Sequence, residues 1–265
     1  MRNNKKWKLR HCVFLPVVAL VILVVPALGQ QPASTDQQTD KPKRDAGAPD
    51  KNQDQDNEIG KSKLEREIGT VNDRIFEVMP NYGTVESTRE VPPLSTGKKF
   101  RLATAGVTDY FTIPFNGVLA ALDQANNSPE SWGQGWGAYA KRFGASFADN
   151  SIGTYMTTSV FPSLLKEDPR YYQMGRGSFG RRVWHPINRL FITRTDSGNM
   201  RFNFSEMIGN AAAAGISNTY HAPEDRTFSR NIGTLAMLLM WDGVSNELKE
   251  FWPDIRRKVF HKNTP

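Results

Sequence analysis

The chain has 265 residues, 34 Lys and Arg against 27 Asp and Glu, and a formal net charge of +7. Five of the bases and none of the acids fall in the first eleven residues, so the remainder carries 29 against 27, and its near balance argues against nucleic acid as a partner. A single cysteine excludes a disulfide framework within the chain, which leaves packing to hold the fold.

Arg2, Lys5, Lys6, Lys8 and Arg10 precede an apolar run from Cys12 to Leu28, and Ala27-Leu28-Gly29 fits a small-x-small cleavage site. That layout predicts a signal peptide over 1–29 and export to the periplasm or cell envelope. The run is close to membrane-spanning length, so an uncleaved signal anchor is the alternative. Cys12 precedes the apolar run, whereas a lipid-acylated cysteine should follow it. Residues 30–63 are rich in Gln, Asp, Lys and Pro and nearly devoid of large apolar side chains; such a segment predicts a disordered linker.

The folded domain is expected over 64–254, with a basic tail over 255–265. Leu64, Ile68, Val71, Ile75 and Val78 or Met79 recur at helical spacing up to Pro80. An extended stretch follows to Pro93, then a short basic helix capped by Ser95. Val107 to Ala125 is an apolar helix interrupted by Pro114 and closed by Asn126-Asn127-Ser128-Pro129. Ser131 to Asp168 is the longest helical candidate. Small residues four apart, Gly133/Gly137 and Ala140/Gly144/Ala148, predict close helix packing, since glycine in a helix needs a packing reason. Pro162 should kink this helix and Asp168-Pro169 stop it.

Arg181 to Ile192 reads as a helix with Val183, Ile187, Leu190 and Phe191 inward, followed by a turn at 193–198. A hairpin joining Phe191/Thr193/Thr195 to Met200/Phe202/Phe204 is the alternative. Asn203 to Tyr220 is a small-residue helix, and Asn231 to Phe251 is the last long one, with Ile232, Leu235, Ala236, Leu239 and Met240 on its apolar side and Pro253 as its breaker. The expected architecture is a mainly α, single-domain bundle of about six or seven helices with Gly/Ala-rich contacts.

The candidate chemistry is sparse. Glu206, Asn210 and Ser217 fall on one stripe of an otherwise apolar helix. A buried carboxylate there would have a raised pKa and could serve as an acid or base, but Asn203-x-x-Glu206 also has the spacing of a capping box. Asp149 sits in a charge-poor stretch and calls for a partner, with Arg142, Arg194 or Arg201 as the candidates. Trp132 and Trp136, one turn apart, could stack on a sugar or meet a membrane interface, though core packing is the simpler use. Neither a metal-ligand spacing among His185, His221, Glu224 and Asp225 nor a phosphate-binding loop is present, so no metal and no cofactor are expected. The residue set of membrane-type acid phosphatases is also missing.

Arg74-Ile-Phe-Glu-Val-Met-Pro-Asn-Tyr82, Glu167-Asp-Pro-Arg-Tyr171, Thr193-Arg-Thr-Asp-Ser-Gly198, Phe202-Asn-Phe-Ser-Glu206, Gly209-Asn210 and Ala214-Gly-Ile-Ser-Asn218 together resemble an uncharacterised family of exported proteins in environmental bacteria. The resemblance spans about Leu64 to Asp254 and implies export; it implies no activity, cofactor or assigned site. The expectation that follows is a non-enzymatic cell-envelope protein that associates with a membrane surface or another envelope protein. Two alternatives stand beside it. One is an envelope hydrolase or lipid-binding enzyme using Glu206 and Asp149, with Asn210 and Arg201 orienting the substrate. The other is a carrier of a small molecule or lipid, with an apolar ligand between the helices.

Overall fold

Gly69 sets the first boundary of the domain. Its φ of +68° ends helix α1 (Lys63–Ile68), and a Cβ there would lie 2.9 Å from Val91 Cγ1. The single helix expected from Leu64 to Met79 therefore does not form. Ile75 and Met79 instead close a tight turn, with Ile75 N–H donating to the Met79 carbonyl at 2.9 Å. Ile68 and Ile75 are both buried, so helical spacing was shared by two separate segments.

A computed structural model describes residues 63–70, 74–86, 91–223 and 226–260. The predicted signal peptide and the polar linker as far as Ser62 lie outside them. Two compact units make up the chain, residues 62–250 and residues 1–61 with 251–265; of the second, 251–260 are described.

The architecture is mainly helical. Helix α2 (Thr96–Val107) buries Leu102, Ala103, Val107 and the whole of Lys99. Asp109 turns the chain into α3 (Thr112–Ala125) by accepting from Phe111 N–H (2.9 Å), Arg74 Nη2 (2.6 Å) and the Tyr82 hydroxyl (2.8 Å). The break thus falls before Pro114, which occupies the first turn of α3, where its missing N–H costs nothing.

Gly133 and Gly135 have φ of +69° and +96° and lie in the loop before α4 (Trp136–Tyr155). Gly137 and Gly144 have open space where a Cβ would be, and Ala140 is exposed. The buried small residues of α4 are Ala138 and Ala145, so the predicted seams lie on the wrong face. Trp136 is 88% exposed and is not a core residue. Arg142 is buried and donates to the carbonyls of Ser128, Pro129 and Gly133 and to Gln124 Oε1, organising the loop before α4.

After Tyr155 the helix widens into a π turn (Met156–Val160) and ends in α5 (Phe161–Leu165), with Lys166 left-handed. The expected close packing occurs here. Helix α7 (Phe204–Ser217) crosses the π turn at Gly209, where a Cβ would meet Thr157 Cγ2 at 3.0 Å and the Met156 backbone at 3.2 Å.

Helix α6 (Phe179–Phe191) and a hairpin follow in succession, so both readings of 181–204 hold in part. Strands β1 (Thr84–Val85) and β3 (Tyr171–Tyr172) pair in parallel. β2 (Glu167–Asp168) pairs antiparallel with β4 (Ile192–Thr195), which pairs with β5 (Met200–Phe202) in the register Ile192 to Phe202. Phe191 is exposed rather than inward, at the point where the helix gives way to the extended backbone of β4. The hairpin is anchored by the buried Lys99 ammonium, which binds both Asp196 oxygens at 2.8 Å and the Pro162 carbonyl at 3.0 Å.

Helix α8 runs Phe228–Phe260, through Pro253. Proline cannot donate to the carbonyl of Lys249, and the Gln173 amide donates to that carbonyl instead. This is why the predicted break at Pro253 is absent and why 255–260 continue the helix rather than begin a tail. Ile232 and Ala236 are exposed while Leu235, Leu239 and Met240 are half-buried, so the apolar stripe expected on α8 turns inward only in part.

Gly209→Ala should destabilise the protein by ~1–3 kcal/mol through overpacking. Gly144→Ala, into open space in a helix, should stabilise it by up to ~1 kcal/mol. Urea denaturation of the two variants decides it, and shifts of the same sign would remove the crossing from Gly209.

Candidate functional site

Helix α7 starts where two side chains meet its free N–H groups. Asn203 Oδ1 accepts from Glu206 N–H at 3.1 Å, and the buried Glu167 carboxylate accepts from Ser205 N–H at 2.9 Å. The backbone N–H of Asn203 is already taken by the Phe191 carbonyl at 2.7 Å. Only half of the expected capping box therefore exists. The Glu206 side chain does not return to the cap and is released toward the domain interior.

There it meets Asn210 and the last helix. Asn210 Nδ2 donates to Glu206 Oε1 at 2.8 Å, and Glu206 also shares a hydrogen bond with Asp242. Asp242, Asn246 and Lys249 fall on one face of α8 and, with Glu206, border a cavity of about 240 Å³. The π turn brings Thr157 and Thr158 to the same wall, and Leu102 and Gly106 come from α2.

The electrostatics of this group follow from its enclosure. Burial first, then the charge of Asp242, pushes the Glu206 carboxyl well above the usual range, while Asn210 and Lys249 oppose the shift. Burial also raises Asp242, against the pull of its bond with Glu206 and of Lys249. Lys249 is lowered by burial and held up by both acids. Burial thus disfavours the charged form of all three groups, and the hydrogen bond between the two carboxyls requires a proton shared by the pair.

Asp149 belongs elsewhere. It accepts from Ser217 Oγ and the Tyr220 hydroxyl at 2.6 Å each and pairs with His221 Nε2 at 2.8 Å. None of the three predicted arginines reaches it: Arg142 holds carbonyls, Arg201 binds Glu167 at 2.6 Å, and Arg194 lies 4.3 Å over the Tyr172 ring. Ser217 donates to Asp149 rather than to His221, so the arrangement lacks the serine–histidine bond of a nucleophilic triad. The polar row of α7 is thus split between two places. Glu206 and Ser217 lie roughly 16 Å apart along the axis at about 1.5 Å per residue, too far to act on one bond. Arg201 binds Glu167 and is not among the residues that border the cavity.

Sequence reading missed Asp242, Asn246 and Lys249, whose i, i+4, i+7 spacing was the available signal; α8 had been read only for its apolar side. It also missed Glu250, fully buried, which accepts from the Tyr171 hydroxyl and from the Met174 and Gly175 N–H groups at 2.9 Å and pairs with Arg182 at 3.2 Å. No group of three metal-ligating side chains occurs among the described residues. The chain matches no family model, no curated protein and no solved structure.

The raised Glu206 carboxyl makes a signed prediction. Between the ordinary glutamate pKa and its folded value, the native state holds a proton that the unfolded chain has released, so stability falls as pH rises through that window. Glu206→Gln removes this contribution. Lowering the pH from about 8 to about 5 should shift the melting temperature in favour of the wild type relative to the variant. A constant difference in calorimetry at both pH values would show that Glu206 is not held protonated.

Proposed function

We propose that this is an exported cell-envelope protein whose helical domain binds a small neutral, hydroxyl- or amide-bearing molecule without transforming it. The observation that carries the reading is the placement of two acids that share a hydrogen bond, Glu206 and Asp242, with Lys249 at the wall of a cavity of about 240 Å³. A charged ligand here would meet acid and base side by side and bear the desolvation cost of its own charge. A neutral ligand with hydroxyl or amide groups can exchange hydrogen bonds with all three side chains and with the threonines of the π turn. The polar groups in this mixed wall suit such a ligand better than a purely apolar one. Arg189 also borders the cavity, but its guanidinium is turned to Tyr172 and Met200.

A second reading rests on the same pair: a protonated Glu206 as general acid beside an ionised Asp242 as base, in a hydrolase. Asp149 has no part in it, since it is engaged at the other end of α7.

The test is a thermal-shift screen of the purified protein against neutral polyols, sugars and amides, with native mass spectrometry for co-purified molecules. A true ligand at ~100 times its dissociation constant adds about 2.7 kcal/mol of stability. Glu206→Gln and Asp242→Asn should each abolish that gain. Binding unchanged in both variants sinks the proposal, and turnover of the ligand would replace it with the hydrolase. Export makes its own prediction: N-terminal sequencing of the protein from the envelope fraction should begin at Gln30. An intact Met1 in that fraction would make the segment an anchor.

A further inference from the structure

A second cavity, of about 250 Å³, lies on the other side of Arg189. Its walls are basic and aromatic, and no carboxylate is part of them. Arg189 is 8% exposed, yet among the described residues its guanidinium has as hydrogen-bond acceptor only the Met200 sulfur, at 3.6 Å. A buried guanidinium with five donors and one weak acceptor is costly unless a stronger acceptor is supplied. Arg194, on β4, adds a second positive charge: the two guanidinium carbons lie 5.8 and 4.3 Å from the centre of the Tyr172 ring. Each lowers the free energy of an anion between them and raises that of the other, and the Arg189 pKa is lowered by burial and by Arg194.

The charge of Asp168 favours the Arg189 cation, but Asp168 makes no hydrogen bond to it. Asp168 is held by Arg170 through Nε at 2.9 Å and Nη2 at 2.6 Å, by the Arg170 N–H at 3.0 Å and by the Tyr172 hydroxyl at 2.7 Å. Its lone pairs are used, and it is not part of the cavity wall. His185 completes the wall, with Nε2 2.9 Å from the Tyr172 carbonyl, which leaves Nδ1 for a further bond.

We propose that this cavity is an anion site for a phosphate group, carried either by a small soluble molecule or by a lipid headgroup. Phosphate matches the site because two planar guanidinium forks present paired donors to its oxygens, and its charge cancels the two arginines. A chloride-sized ion would satisfy only one donor direction. Arg189 borders both cavities, so a ligand here also fixes a side chain at the edge of the Glu206 site. The proposal does not depend on what that first cavity binds.

The experiment is calorimetric titration of the full-length protein with inorganic phosphate against sodium chloride at equal ionic strength. The expected result is saturable binding at one site per chain, weakened at least ~10-fold by Arg194→Gln, a loss of about 1.4 kcal/mol. Arg194 is exposed and borders only this cavity, so the variant should melt like the wild type without phosphate, and Arg194→Lys should recover part of the affinity. Binding to vesicles containing phosphatidic acid, beyond that to phosphatidylcholine alone and lost in Arg194→Gln, assigns the source to a lipid headgroup. Saturable phosphate binding without that difference assigns it to a soluble molecule. No saturable heat with phosphate together with no Arg194-dependent vesicle binding overturns the site, as does phosphate binding unchanged by Arg194→Gln. Either failure leaves the neutral-ligand cavity untouched, because Arg194 does not border it.

Discussion

The buried carboxylate of Glu167 is the interaction on which the arrangement depends. It stands at the N-terminus of α7, accepts from Ser205 N–H, and is neutralised by Arg201 from β5. One charge therefore joins β2, the hairpin and the helix that carries Glu206. An acid buried with both a cation and a helix start satisfies its lone pairs as water would, which makes its burial tolerable. Without it, the N–H of Ser205 would be a buried orphan and the hairpin would lose its tie to the bundle. Lys99 repeats the device from the other side, fixing the hairpin turn through Asp196.

Given that start, α7 leads away along the π turn at a separation that only Gly209 permits. The close crossing puts Glu206 and Asn210 opposite α8 and the threonines of the π turn beside them. The same geometry that crowds the backbones at Gly209 leaves a cavity one turn away, where side chains are polar and cannot interdigitate as a dry core would. Three titratable groups then border one cavity. The second cavity is the opposite case: two arginines and no free carboxylate. The two walls differ in the presence or absence of an acid beside the base.

Much of the fold was legible. Helices recur where apolar residues recur at three and four, and the Asn203 cap and the hairpin residues were visible in the residue pattern. The failures have physical causes. Leu64 to Met79 read as one helix because Ile68 and Ile75 both face the core, though Gly69 turns the chain between them. Gly133, Gly137 and Gly144 looked like a packing seam because periodicity shows spacing but not which face meets a neighbour. Glu206 looked like a cap because its backbone N–H is indeed capped, while the fate of its carboxylate depended on Asn203 N–H being taken from another segment.

By itself the sequence determined that the chain is mainly helical, that its core must stand without disulfides, and that Asn203 begins a helix, because composition, cysteine count and local propensity act within a few residues. Which acid meets which base was decided by tertiary structure alone. Asp149 goes to Ser217, Tyr220 and His221, Glu206 to Asp242, and Arg201 to Glu167. Charges attract at any sequence separation, and only the packing of helices against the π turn and the hairpin selects the pairs that come within hydrogen-bond reach.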